Sequence, residues 1–276
     1  MDNATVRFDG DGLSLCADAF GDPDAPPVLF FHGGGQSRRA WRGSARRVAA
    51  AGYYGLTFDL RGHGDSDWAG DGDYDVRAYG RDVTGLLDAF TRPVVLVGAS
   101  RGGQASLIGA SQCPAAVSMI MLADVVPRLR DDGVDDVRRF FARSVRGFAT
   151  LREAADALAT LNHQGPADPA GLARAMRQDA AGNYFWRWDP RTVDPRFLNP
   201  PSEAEAVAAA AALVRCPVIL VRAELSNVVT DEGVTDFQSI TPQLQVIEAK
   251  GVGHMFTGDR NDAFADMLLS YLPVPA

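Results

Sequence analysis

Cysteine is scarce in this chain: Cys16, Cys113 and Cys216 lie far apart among 276 residues. An odd, scattered set excludes a disulfide framework and has no zinc-ligand spacing, so a reducing compartment is expected. Positive charge is also short, with 27 Lys and Arg against 35 Asp and Glu and a net charge of −8. Nucleic acid and anionic membranes reward clustered positive charge, so neither is expected as a partner. Lys250 is the only lysine, a skew that reads as codon preference and carries no functional weight. No apolar run reaches the roughly 18 residues that span a bilayer. Met1-Asp2-Asn3 lacks the basic flank and apolar core of a signal peptide. A soluble, cytoplasmic protein is the expectation, as monomer or homodimer. The glycine-rich loops carry neither Gly-Lys-Ser/Thr nor Gly-x-Gly-x-x-Gly, which disfavours a nucleotide-phosphate cradle, and no cofactor or metal is expected. No internal repeat is visible. What remains is a 46% hydrophobic chain, long enough for one large α/β domain or a domain with an insertion.

Strand and helix patterns alternate through the first half. Residues 4–20 read as a hairpin turning at Asp9-Gly10-Asp11-Gly12. Val28-Leu29-Phe30-Phe31 is a continuous apolar run of the kind buried in a parallel sheet, and it breaks into His32-Gly33-Gly34-Gly35-Gln36-Ser37. A helix over 41–51 and a strand over 54–59 lead to Arg61-Gly62-His63-Gly64-Asp65-Ser66, and a helix over 75–90 follows. Further strands are predicted over 94–97, 118–122, 218–221 and 245–248, with a closing helix over 263–271. The alternation implies a mostly parallel central sheet with helices on both faces. Between 127 and 210 strand runs vanish and charged amphipathic segments take over. A helical insertion is therefore expected there, between core segments 1–126 and 211–276.

The stretch with the most chemistry is Pro93-Val94-Val95-Leu96-Val97-Gly98-Ala99-Ser100-Arg101-Gly102-Gly103. An apolar strand breaking into Gly-x-Ser-x-Gly before helix-compatible residues describes a nucleophile elbow, with the serine hydroxyl exposed on a tight strand-to-helix turn. The helix start behind Ser100 offers unpaired N–H groups to a developing negative charge. A serine hydroxyl needs a neighbouring base, and the base an orienting group. Among His32, His63, His163 and His254, only His254 follows the last strand, flanked by glycine, where a loop can reach a serine at the same sheet edge. His32 and His63 read as braces for loops beside the elbow, and His163 as incidental.

His32-Gly33-Gly34-Gly35, Asp59 to Ser66, Gly98-Ala99-Ser100-Arg101-Gly102 and Gly253-His254, in this order, resemble the α/β-hydrolase superfamily over essentially the whole chain. The resemblance is strongest to small bacterial carboxylesterases with a helical cap, and Trp186-Arg187-Trp188-Asp189-Pro190 points weakly the same way. It implies Ser100 as nucleophile, His254 as base, and an oxyanion hole from the Arg101 N–H and that of Gly34, with Gly35 the alternative. The acid is less direct. Where such proteins usually carry an aspartate after the late strand, this chain has Ser226 and Asn227, with Glu224 nearby. The other known placement, after the strand that follows the elbow helix, is occupied by Asp124, which is preferred to Glu224. The implied activity is hydrolysis of small-molecule esters through an acyl-enzyme. Lactone, thioester and C–C cleavage remain open, as does a non-catalytic receptor. An aromatic lid would favour medium-sized apolar or aromatic esters. Of Trp186 and Trp188, alternation on an extended segment suggests that one lines the pocket and the other packs in the core. Met255 is a third candidate for the pocket wall.

Overall fold

The computed structural model describes residues 4–162, 169–197, 200–254 and 262–272. The candidates His163 and Met255 lie outside the described residues. The alternation of residues 4–20 becomes an antiparallel hairpin, β1 (Ala4–Asp9) and β2 (Ser14–Phe20). The apolar run after it is β3 (Pro27–Phe31), buried at every position. A 3-10 turn over Arg38–Trp41 runs into α1 (Arg42–Ala50), followed by β4 (Tyr54–Phe58). Next is α2 (Val76–Leu87), started by the Asp75 carboxylate, which accepts the Arg77 N–H at 2.8 Å. β5 (Val94–Ala99), α3 (Arg101–Gln112) and β6 (Val117–Ala123) complete the first half.

The segment that follows contains α4 (Asp131–Ser144), α5 (Leu151–Asn162) and α6 (Pro169–Ala175). It is not purely helical: β7 (Met176–Gln178) and β8 (Tyr184–Trp186) pair as a small antiparallel ribbon of their own. Phe141, Phe148, Leu172, Met176, Trp186 and Trp188 gather there in an apolar cluster separate from the sheet. The chain then returns through α7 (Pro201–Leu213), β9 (Val218–Ala223), α8 (Asp231–Ile240), β10 (Leu244–Ala249) and α9 (Asp262–Tyr271). The boundary expected at 210/211 falls inside α7, whose Val207, Ala210 and Ala211 belong to the core beneath the sheet.

Among the described residues the main sheet has eight strands in the order β1-β2-β4-β3-β5-β6-β9-β10, antiparallel at the β1/β2 and β2/β4 pairings and parallel from β4 onward. One face is closed by α1 and α9, with the Trp41 ring packed at a tilt against Phe264, centroids 5.0 Å apart. Val83, Leu86, Leu107, Val207 and Phe237 of the other helices close the second face. Parallel strands bring all their carboxyl ends to one edge, and the crevice outside that edge is where open α/β sheets place ligands. Residues 32–36, 59–66, 100, 124, 224–226 and 250–254 all leave the sheet there. No helix among the described residues is long and apolar enough to cross a membrane.

Candidate active site

β5 turns into α3 with no intervening loop, and the backbone shows the cost. Ser100 sits at φ 46°, ψ −119°, a conformation that L residues rarely hold unless the surroundings impose it. Its neighbours must be glycine for steric reasons. A Cβ on Gly98 would come within 2.5 Å of the Gly103 Cα, and one on Gly102 within 2.5 Å of the Phe31 carbonyl oxygen. The elbow is therefore wedged between β3 and its own helix. Ser100 remains partly open to solvent.

β6 runs parallel to β5 in register, Ala99 beside Ala123, so Ser100 and Asp124 are the first residues beyond adjacent strand ends. Asp124 is fully buried, and like Ser100 it has a positive φ, 48°. Its Oδ1 accepts the Ala223 N–H at 2.9 Å. Its Oδ2 accepts the Ser226 hydroxyl at 2.7 Å and pairs with His254 Nδ1 at 2.8 Å. Glu224, the competing acid, points elsewhere: its Oε2 accepts the Gly251 N–H at 2.7 Å on the exposed side of the loop. Its backbone N–H bonds the Ala249 carbonyl, and Leu225 N–H that of Val252, so the β9 loop braces the turn that carries His254.

The glycine-rich loop after β3 sorts its amides. Gly33 N–H is taken by Gln36 Oε1 at 2.9 Å and Gly35 N–H by His63 Nε2 at 3.1 Å. The N–H groups of Gly34 and Arg101 donate to no protein group among the described residues. The Gly35 alternative is thus already committed to His63. His32 Nε2 accepts the Leu60 N–H at 3.0 Å, which leaves Nδ1–H to donate to the Gly33 carbonyl at 2.7 Å. In His63, Nδ1–H donates to the Arg61 carbonyl at 2.9 Å. Both rings brace the loops as neutral imidazoles. Burial pushes His32 down to about 4 and His63 down to about 3.

This has a consequence for stability. Unfolded histidine takes up a proton below about pH 6.5 while these rings do not, so their contribution is complete above that pH. It is lost as pH falls from 6.5 toward 4, at roughly 1.4 kcal/mol per pH unit for each ring. Asp82 and Glu203, pushed up by burial, act with the opposite sign. The comparison is therefore with His63→Gln, which keeps an acceptor for the Gly35 N–H but cannot titrate. Urea midpoints at pH 7 and pH 5 should drop more in the wild type than in His63→Gln. Equal drops contradict the neutral, buried ring.

The motif over 59–66 is a folded unit around Asp59. Arg38 donates its backbone N–H to Asp59 Oδ1 at 2.7 Å and its guanidinium to Asp59, Asp65 and Asp18. Cys16, Asp59 and Asp65 are close enough to hold a cation, but the Arg38 guanidinium already sits against both carboxylates. The same loop docks residues 187–189. Gly64 N–H bonds the Arg187 carbonyl at 2.6 Å, Asp189 N–H bonds that of Gly62 at 2.7 Å, and His63 bridges Trp188. Arg187 adds an ion pair to Asp65 at 2.9 Å, and Tyr74 donates its hydroxyl to Asp189 at 2.6 Å.

Trp186 and Trp188 are both buried, but in different settings: Trp186 packs against Phe140 and Phe148 of the insertion, Trp188 against Phe141 and the 62–64 loop. Residue 188 has left the β8 ribbon and joined the 62–64 loop, which removes the premise of a single extended strand. Trp186 donates its indole N–H to Ser144 at 3.2 Å, while that of Trp188 has no partner among the described residues. Sequence reading missed Phe141. Its ring lies edge-on to Trp188 at 5.6 Å, and a Cβ on Gly35 would meet it at 2.5 Å. Sequence reading also missed what holds the Arg101 side chain: Glu203, fully buried, at 2.7 Å, and the Phe197 carbonyl.

Comparison with known proteins agrees with this fold. The chain matches the model of the alpha/beta hydrolase family over residues 28–267. It is similar to an esterase of Mycobacterium tuberculosis, 25% identical over 90% of this chain and 83% of that protein. It is also similar to a 2-(acetamidomethylene)succinate hydrolase of Mesorhizobium japonicum, 26% identical over 83% of this chain and 81% of that one. A solved structure of E-2-(acetamidomethylene)succinate hydrolase superposes with a TM-score of 0.83 at 20% identity, covering 98% of this chain and 99% of the other.

Proposed function

The chain belongs to the alpha/beta hydrolase family, and from that premise we propose that it is a serine hydrolase of carboxylic esters. The observation that carries the reading is the buried Asp124 bonded to His254 at 2.8 Å, one strand end away from the Ser100 elbow. Ser100 attacks the ester carbonyl while His254 Nε2 takes its proton. Asp124, bonded to Nδ1–H, holds the neutral ring in the tautomer that leaves Nε2 free and stabilises the imidazolium that forms. The oxyanion accepts hydrogen bonds from the amides of Gly34 and Arg101, each worth about 100-fold or more in rate. Collapse expels the alcohol, which leaves with the proton from His254. Water then attacks the acyl-enzyme, giving its proton to His254, and the acid is released with the Ser100 hydroxyl restored.

In this reading residues 127–200 form a lid over a core made of the rest of the chain. Phe141 and Trp188 supply an apolar wall beside the oxyanion loop. Three arginines of the surrounding segments are already paired: Arg187 with Asp65, Arg191 with Asp189 and Arg101 with Glu203. The site therefore favours medium-sized apolar or aromatic acyl groups over charged ones. A panel of p-nitrophenyl esters, with a succinate monoester for the charged case, tests this. The expected kcat/KM is highest for about four to eight acyl carbons or a benzoyl group and at least about tenfold lower for the succinate. A preference for anionic acyl groups, the chemistry in the name of the Mesorhizobium relative, contradicts it.

A further inference from the structure

Ser226 stands where the resemblance led one to look for the acid, and it is not an empty replacement. Its hydroxyl proton goes to Asp124 Oδ2, the same oxygen that meets His254 Nδ1. The direction of that proton is fixed by the loop. The backbone N–H groups of Val228 and Val229 point at Ser226 Oγ, at 3.3 and 3.0 Å, so its lone pairs are occupied and its O–H is left to donate. The loop itself is closed by Ser226 N–H to the Ala223 carbonyl at 3.1 Å, while Ala223 N–H holds Asp124 Oδ1. One short turn after β9 thus grips both oxygens of the carboxylate.

We propose that Ser226 is a positioning residue: its hydroxyl holds Asp124 in line with His254 and sets how strongly that carboxylate acts on the imidazole. This rests on the reading of Asp124 as the acid. A second donor on Oδ2 draws charge from the oxygen facing His254, so the carboxylate supports the imidazolium less than it would alone, in exchange for fixed geometry. Removing the hydroxyl reverses both effects. The carboxylate gains freedom to turn, and His254 becomes harder to deprotonate. Of the other ionisable groups among the described residues of the segments leaving β6, β9 and β10, Glu224 is bonded to Gly251, and Arg128, Arg130 and Lys250 complete the set. All are unchanged in the variants below.

The test is Ser226→Ala and Ser226→Thr in the full chain, assayed with a p-nitrophenyl ester across pH. For Ser226→Ala the expected result is a roughly tenfold lower kcat with KM within about twofold. The acid limb of kcat/KM should also move up by about half a pH unit. Ser226→Thr, which keeps the hydroxyl, should restore both. A kcat within about twofold of wild type with an unmoved acid limb overturns the proposal. So does a loss of rate that leaves the limb in place and that Thr does not rescue, since that is what a merely structural serine gives. Asp124→Asn run alongside separates the two levels: if it hydrolyses the ester as well as wild type, the acid assignment has failed whatever Ser226 does.

Discussion

Asp124→Asn is expected to lower kcat for ester hydrolysis by about 10³–10⁴-fold, whereas Glu224→Gln should stay within about fivefold of wild type. The asymmetry follows from hydrogen bonding. Oδ1 of Asp124 accepts from the Ala223 N–H, and Oδ2 accepts from Ser226 and faces His254 Nδ1. An asparagine has one acceptor oxygen for these two sides. If its amide faces Ala223, two donors collide in a fully buried place, which costs about 1–3 kcal/mol. If its amide faces His254, the ring must accept at Nδ1 and carry its proton on Nε2, where it can no longer take one from Ser100. The backbone is not at fault in this variant, because asparagine tolerates a positive φ such as the 48° of residue 124. Glutamine at 224 still accepts the Gly251 N–H through its amide oxygen. Steady-state rates on one p-nitrophenyl ester decide it. A large loss in Glu224→Gln with little in Asp124→Asn overturns the assignment.

Ser100→Ala should abolish hydrolysis to at least about 10⁴-fold below wild type. Alanine keeps the Cβ, so the turn at φ 46° is neither relieved nor worsened, and the wedge of Gly98 and Gly102 against the helix and β3 is untouched. An unchanged melting temperature with the rate gone is therefore the expected pair of results. His254→Ala combined with Ser100→Ala should cost little beyond either alone, since the two act as one unit. Retained turnover in Ser100→Ala contradicts the account at its root.

Much of this layout was legible in the chain. The Gly-x-Ser-x-Gly turn is readable because each glycine answers a contact with the backbone of β3 or α3, and those contacts are fixed once a strand runs straight into a helix. The sheet was legible because β3, β5 and β9 are apolar almost throughout. Other features depend on contacts between distant residues and leave no local mark. That Gly34 and not Gly35 keeps a free amide is decided by His63, 28 residues away. The choice between Asp124 and Glu224 turns on which carboxylate faces inward, and neither spacing nor residue type states that. The helix over Asp231–Ile240 went unread because only Phe237 of its residues is buried, giving no apolar stripe. β7 and β8 have three residues each, too few for a period to show. The separate settings of the two tryptophans leave no local mark either, because the chain leaves its ribbon at 187 to pair with residues 62–64. Ser226 looks like a missing acid, and only the carboxylate at the neighbouring strand end explains its place.

The measurement that bears most directly on the central claim is intact-mass analysis after incubation with a fluorophosphonate. The account predicts one phosphonyl adduct per chain, mapped by peptide digestion to Ser100, with loss of esterase activity in step with labelling. It also predicts no adduct on Ser100→Ala and strongly slowed labelling of Asp124→Asn. A wild-type chain that stays unlabelled, or an adduct that maps to another residue, would contradict a serine nucleophile at this elbow.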